Sequence, residues 1–453
     1  MSIKTEVLGT EKIGKLLFQL SVPTITAQII NLLYNLVDRI YIGHMPDVGT
    51  KALTGVGVTF PIIMIIAAFA LLISSGGGPK ASIALGQKDK ETANKILGNS
   101  FVALIIVSIT LTIFFILFSE DILMLFGASN DTINYALDYI NIYVLGTIFV
   151  QLTLGLNAFI IAQGFTKISM LSVVIGAGLN ILLDPIFIFV LGYGVKGAAI
   201  ATILSQAVST VWVLLFLTGE VPTIKLQTKY MKIDFKILLP CLALGVSPFI
   251  MQSSESILAA AFNSSLLKYG GDIAVGAMVI LTSVMQLCML PLTGLTQGAS
   301  PIISYNFGAK KLDRVRLAVK YTLVLSLSYT FIFCFICQTM PQIFLKLFNF
   351  DPNYLDFGSK ALRIYTAGLF MFGAQMAFQQ SFIALGNAKT SMFLAILRKL
   401  ILLIPLIYIL PIFFEDKTTA VFMAEPFSDI TAAIVTIILF TRFFKKLTED
   451  YNK

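Results

Sequence analysis

Apolar runs long enough to cross a bilayer recur along this chain and leave little freedom in what it can fold into. A helix needs about 20 apolar residues to span ~30 Å of hydrocarbon. Such runs fall near 16–43, 54–78, 98–118, 135–162, 168–192 and 197–218. A polar segment, GEVPTIKLQTKYMKIDFK (219–236), separates them from six more, near 237–264, 273–300, 318–341, 358–384, 390–413 and 419–442. Some exceed 25 residues, which implies tilt, bending or extension beyond the bilayer. Only 12% of residues are charged and the mean hydropathy is +0.88, whereas a soluble domain carries about 25% charge. The expected fold is therefore an all-α polytopic membrane protein with twelve transmembrane helices. Its opening, MSIKTEVLGTEKIGKLLFQL, leads into an apolar run longer than the core of a signal peptide, so the first span is expected to stay uncleaved.

Lysine and arginine set the expected orientation. With the N-terminus inside, the inner segments hold 22 of these residues and the outer segments 8, while Arg398 and Lys399 fall within a span. That bias puts both termini in the cytoplasm. It also accounts for the net charge of +8 without a nucleic-acid partner. Cys241, Cys288, Cys334 and Cys337 all lie in apolar runs, and the chain has a single histidine, His44. Neither pattern suggests a redox or metal centre, and no cofactor is expected.

The two halves are similar to each other. SSGGGPKASIALGQKDKETANK (74–95) aligns without a gap on TQGASPIISYNFGAKKLDRVRL (296–317), 222 residues later. At the same offset GFTKISM (164–170) matches GNAKTSM (386–392). Nearer the start, Pro23 meets Pro248 and Asp38 meets Asn263 at an offset of 225. Six spans per copy is an even number, so the copies share one orientation, as parallel repeats do about an axis along the membrane normal. The expected organisation is an N-terminal six-helix lobe (1–218), a cytoplasmic linker (219–236) and a C-terminal six-helix lobe (237–453), with a cleft between the lobes.

Polar residues at membrane depth mark candidate function. At 1.5 Å per residue, Asp184 in GLNILLDPIFIFV lies about 12 Å below the outer boundary, and Asn180 sits one turn deeper on the same face. By the same count Asp38 lies about 8 Å and Thr202 about 9 Å from the outer ends of their spans. Carboxylate, amide and hydroxyl oxygens in one layer suit a hard monovalent cation, and two close carboxylates favour a shared proton. Two structural alternatives stand beside this. Asn180 and Asp184 would cap backbone freed by Pro185, or Asp38 would pair with Arg39.

Taken together, SVPTITAQIINLLYNLVDRIYIG, GGPKASIALGQKD, GLNILLDPIFIF, GVKGAAIATILSQ, GLTQGASPIISYNFGAKK and AEPFSDI carry a resemblance covering nearly the whole chain. The sequence resembles the multidrug and toxic compound extrusion (MATE) family, and its DinF-like prokaryotic branch more than its NorM-like one. The resemblance implies two lobes around a central cavity, and export of cationic or amphipathic drugs driven by entry of Na⁺ or H⁺. It implies a cation site on the motif positions Asp38, Asn180, Asp184 and Thr202, and a bend of the first helix at Pro23. It also suggests a monomer in a bacterial or archaeal cytoplasmic membrane.

The second lobe is more ambiguous in sequence. Glu255 lies about 13 Å inside span seven, where NorM-like relatives carry an acidic coupling residue, but QSSESILAAAF matches that pattern loosely. Span eleven carries Arg398 and Lys399 near mid-depth, while span twelve carries Glu425 and Asp429 on one face. A buried pair such as Arg398–Asp429 is the simpler expectation; charges that respond to drug or proton occupancy are the alternative. Gln151, Gln286, Gln375 and Gln379 are weak candidates to line the cleft, and interhelical hydrogen bonding explains them equally well.

A cation-coupled drug antiporter working by alternating access, and not an enzyme, is thus expected. The alternative is a flippase for a lipid-linked oligosaccharide or peptidoglycan precursor, which shares the helix count. It needs several cationic residues facing the cleft, and only Arg398, Lys399 and Arg39 qualify. An intramembrane enzyme would need clustered metal-binding acids or a catalytic His–Asp pair, which the sequence lacks.

Overall fold

The computed structural model describes residues 5–46, 48–346 and 352–451. Its helices are α1 (Ile13–Gly43), α2 (Gly49–Gly86), α3 (Lys90–Leu125), α4 (Ile133–Leu145), α5 (Thr147–Ala162), α6 (Thr166–Val190) and α7 (Gly194–Thr218). After the linker come α8 (Phe235–Gly308), α9 (Leu312–Thr339), α10 (Pro352–Tyr365), α11 (Leu369–Ala384), α12 (Ala388–Phe413) and α13 (Lys417–Tyr451).

Among the described residues nine helices are individually long and apolar enough to cross a membrane; three local features bring the passes to twelve. α4 and α5 form one span bent by 57°. The bend falls at Gly146, where a Cβ would overlap the Ile203 side chain. α8 is two spans that turn at Gly271, whose φ of 63° and ψ of −163° is a conformation reserved for glycine. The pair α10–α11 repeats α4–α5: Leu369 and Ala384 bound α11 at 222 residues from the Thr147 and Ala162 that bound α5.

The repeat reaches the backbone. The only non-glycine residues with positive φ among the described residues are Lys88 (64°) and Lys310 (58°), 222 apart. Gly164 (88°) and Gly386 (78°) are separated by the same interval. Each of the four ends a helix in the left-handed conformation that commonly closes one.

The lobes meet through α1, α2 and α8. Close packing is confined to the side of the membrane that carries the chain's ends. There a Cβ on Gly86 would overlap the Tyr305 carbonyl, and one on Gly308 the Ile83 carbonyl. Residues 83 and 86 are the 222-residue counterparts of 305 and 308, so the contact is two-fold symmetric, with glycine at the crossing of both helices. Gly298 and Gly294 likewise admit α1, where a Cβ would lie 2.6 Å from the Cα atoms of Ser21 and Ile25. Thr24 Oγ1 donates to the Gly294 carbonyl at 2.5 Å. Further out, Gln28 Nε2 donates to Gln297 Oε1 (3.2 Å) and Phe69 packs edge-on against Phe249 (5.0 Å). Beyond Met64 and Gln252, which touch at 2.8 Å, no hydrogen bond or aromatic contact joins the lobes among the described residues. They diverge, leaving a cleft that opens on the far side.

Short segments brace the closed side. Asn306, Lys311 and Arg314 donate to the backbone carbonyls of Leu8, Gly9 and Glu11, with Arg314 Nη2 to Glu11 at 2.6 Å. The linker lies on the first lobe, where Gln163, Asn94 and Asn99 accept from the N–H groups of Ile224, Lys225 and Asp234.

Candidate cation site and charge network

Asp38, Asn180, Asp184 and Thr202 converge between α1, α6 and α7, each with 8% or less of its surface exposed. Asn180 Nδ2 donates to Asp184 Oδ1 (3.1 Å) and to Thr202 Oγ1 (3.3 Å). The Asp38 and Asp184 carboxyl groups lie within hydrogen-bonding reach of each other. Yet Asp38 Oδ1, Asp184 Oδ2 and Asn180 Oδ1 have no donor. A buried polar atom left unpartnered costs about 1–3 kcal/mol, and three in one place make a cluster that is short of positive charge.

Neither structural alternative operates. The Asn180 and Asp184 side chains bond each other rather than backbone freed by Pro185. Arg39 makes no ion pair with Asp38 among the described residues and instead sits 5.3 Å from the Phe60 ring. The backbone beside the site is unusual: immediately after Pro185, α6 widens into π-helical turns over Ile186–Val190, a feature that concentrates at functional sites. α1, by contrast, runs unbroken through the buried Pro23.

Residues that sequence reasoning missed complete the shell. The Tyr139 hydroxyl lies beside Thr202, and its ring stacks on Tyr143 (6.0 Å, 16°). A cavity of about 40 Å³, large enough for water, adjoins Asn180 and Thr202; Asn31, Tyr34 and Ser205 also line it. Tyr139 and Tyr143 are four residues apart in YALDYINIY, but paired tyrosines near a membrane boundary are ordinary, so nothing in their spacing singles them out.

The second lobe holds a charge network. Arg398 Nε donates to Asp429 Oδ1 (2.7 Å) and Nη2 to Glu425 Oε1 (3.0 Å), all three buried. The guanidinium also stands 4.6 Å from the Phe372 ring. Lys399 Nζ donates to Glu255 Oε1 at 2.8 Å; the lysine is buried and the glutamate side chain 56% exposed. Glu255 is one turn beyond Gln252, which touches the opposite lobe, so it faces the cleft. Arg398 and Lys399 lie in π-helical turns, Leu397–Leu403, in the helix equivalent to α6.

The glutamines do not line the cleft as a set. Gln151, Gln375 and Gln379 are buried between helices, and two of them bond a neighbouring helix, as membrane-embedded amides do. Gln151 donates to the Ile66 carbonyl (2.6 Å) and Gln379 to Ser247 Oγ (2.9 Å). Gln286 is exposed.

Twelve passes in two symmetric lobes, closed on one side and open on the other, define a two-lobed membrane transporter fold. The family model MatE matches residues 23–186 and again 248–409, one match on each repeat, and the chain belongs to the MatE family. The multidrug export protein MepA of Staphylococcus haemolyticus (strain JCSC1435) is 26% identical over 442 residues, covering 97% of this chain and 95% of that protein. MepA of Staphylococcus aureus (strain N315) is 26% identical over 433 residues, 94% of each chain. Among solved structures, MATE in the bent conformation superposes with a TM-score of 0.93 at 24% identity over 100% of both chains. The outward-facing conformation of a multidrug resistance MATE family transporter gives 0.91 at 25% identity, covering 99% of each.

Proposed function

We propose that this chain exports cationic or amphipathic drugs in exchange for an entering cation, H⁺ or Na⁺, that binds at Asp38, Asn180, Asp184 and Thr202. The observation that carries the reading is the cluster of three buried oxygens without donors, two of them on carboxyl groups in reach of each other. A carboxylate deep in a bilayer costs roughly 2.5–3.5 kcal/mol even on lenient scales. A proton shared between Asp38 and Asp184, or a Na⁺ held by carboxylate, amide and hydroxyl oxygens, removes that cost. Cation entry from the open side therefore favours helix arrangements that keep the site filled, and its release inward resets the cleft for drug. One charge moving through 100 mV supplies about 2.3 kcal/mol.

In this reading the protein works as a monomer in the cytoplasmic membrane with both ends inside, as the lysine and arginine bias supports. The lobes 1–218 and 237–453 rock against each other, joined by 219–236. The export function named for the MepA relatives supports drug as the cargo. A pyrophosphate-lipid flippase fits less well, because Arg398 and Lys399 are each neutralised by an acid.

Dye movement in proteoliposomes under an imposed Na⁺ or pH gradient, each applied alone, tests the proposal. Asp184→Asn and Asp38→Asn should each abolish gradient-driven dye transport while the unfolding midpoint in detergent stays near wild type. Undiminished transport by a folded Asp184→Asn variant would overturn the assignment.

A further inference from the structure

Away from the cleft, on the C-terminal lobe, an open groove of about 480 Å³ runs between α9 and α13. Its volume falls in the range of ordinary ligand sites. Its chemistry is graded along the helices. Arg316 and Lys320 lie one to two turns into α9, and Lys445 lies less than two turns from the last described residue of α13. Deeper in, the floor is apolar: Phe378 and Phe440 stack at 4.3 Å and are buried, beside Leu323. Phe444 bridges the two zones, stacked on Phe440 (5.7 Å) and 6.0 Å from the Arg316 guanidinium. Glu449, at the lip, is the single acid in the lining. None of the three cations, nor Glu449, makes an ion pair among the described residues.

We propose that this groove is a binding site for an anionic glycerophospholipid, with the phosphate on Arg316, Lys320 and Lys445 and an acyl chain on the phenylalanine floor. The cations, without an ion pair among the described residues and near the helix ends, stand at headgroup level. The floor lies where acyl chains begin, so charge and apolarity are ordered along the groove as they are along a lipid. Basic pockets between transmembrane helices bind acidic headgroups in this way. A zwitterionic lipid would bring its own cation to a rim that already carries three. The proposal is independent of the cation and drug sites.

Native mass spectrometry of the full chain, released from micelles doped with equal phosphatidylglycerol and phosphatidylcholine, tests it. Wild type should retain phosphatidylglycerol preferentially. The variant R316Q/K320Q/K445Q should lose that preference, by roughly fivefold per cation removed. Leu323→Trp, which fills the groove and keeps every charge, should also lose it. Unfolding midpoints without added lipid check that each variant is folded, and Lys445→Gln alone replaces the triple variant should the latter not fold. Equal retention of both lipids, or retention unchanged by the charge variant, overturns the site. Retention that survives Leu323→Trp reduces it to surface attraction and overturns the groove. Displacement of the lipid by millimolar inorganic phosphate would make it a free-phosphate site instead.

Discussion

Gly86→Ala should push the protein away from the pose described above. Gly86 and Gly308 occupy equivalent positions of the repeat, and each faces a carbonyl of the opposite lobe, Tyr305 or Ile83. An added Cβ overlaps the facing oxygen so far that backbone must retreat by on the order of 1 Å, and overpacking of this kind costs typically 1–3 kcal/mol. Both contacts are between helical residues, and because Gly86 and Gly308 are the last residues of their helices the shift is shared with the turns that follow. The cost falls on the arrangement in which the lobes touch at this end, and is absent once they separate there. A differential of 1–3 kcal/mol changes a two-state ratio about 5–150-fold. A hundredfold preference for the closed end would therefore shrink to somewhere between twentyfold and parity, by the same conversion. Glu91→Cys and Asp313→Cys place spin labels at equivalent exposed positions in the first turns of α3 and α9, once Cys241, Cys288, Cys334 and Cys337 are replaced. Double electron–electron resonance should then reveal a longer-distance population in Gly86→Ala and in Gly308→Ala. The double variant should shift less than the sum, because the first retreat makes room for the second. An unchanged distance distribution in folded protein would refute the reasoning. So would a lowered unfolding midpoint with no new population, since the strain would then burden the fold and not the pose.

Two other predictions concern stability. Arg398→Met leaves Glu425 and Asp429 buried without their partner, and should destabilise by about 3–5 kcal/mol. Asp429→Asn should cost less, because Glu425 still meets the guanidinium; unfolding in detergent that ranks the two the other way would refute the pairing. Asp89 caps α3 by accepting from the Thr92 N–H at 2.9 Å, and hydrogen bonding from the Thr92 side chain, together with that N–H, holds its carboxyl below the usual carboxylate range. Asp89→Ala should therefore lower stability by about 0.5–2 kcal/mol at pH 7. Because the folded value is the lower one, the contribution is complete above the unfolded value near pH 3.9 and disappears as pH falls through the folded value. Stability curves for wild type and variant should converge in acid, and a gap that persists there would contradict the cap.

The helix count was legible because hydrocarbon thickness converts directly into run length. What run length cannot report is local backbone geometry. The bend at Gly146 depends on Ile203, 57 residues away, filling the space a Cβ would need. The π-helical turns at Ile186–Val190 leave the apolar pattern intact, and those at Leu397–Leu403 interrupt it only with Arg398 and Lys399, charges that specify no backbone geometry. The four oxygen-bearing residues of the first lobe emerged from depth arithmetic, since helices that cross together bring equal depths together. Tyr139 escaped because its approach to Thr202 requires α4 to be oriented by that same bend. For the glutamines two readings, cleft lining and interhelical bonding, stood level in the sequence for a related reason. Counting residues gives depth along a helix but not which neighbour the side chain faces, and Gln151 turns to Ile66 within its own lobe.

The symmetry of the scaffold does not extend to its polar residues, and that asymmetry bears on how the two lobes divide the work. At the 222-residue offset, Asp184 and Asn180 correspond to Leu406 and Leu402, while Arg398 and Lys399 stand where the first lobe has Gly176 and Ala177. The second lobe thus has leucines where the first has Asn180 and Asp184, and carries two cations about one turn before them, each joined to an acid at 2.7–3.0 Å. A satisfied network in low dielectric holds one geometry firmly, since breaking any member strands a charge. The first lobe carries the opposite arrangement, with three buried oxygens wanting a donor, which a proton or cation would supply in the proposed cycle. In the proposed cycle the first lobe therefore senses the cation, and the second serves as the rigid wall against which α1 and α2 move. Glu255 is where the two meet: its side chain is 56% exposed yet tied to the buried Lys399, and in the proposed cycle it is the carboxylate that a cationic drug in the cleft would meet.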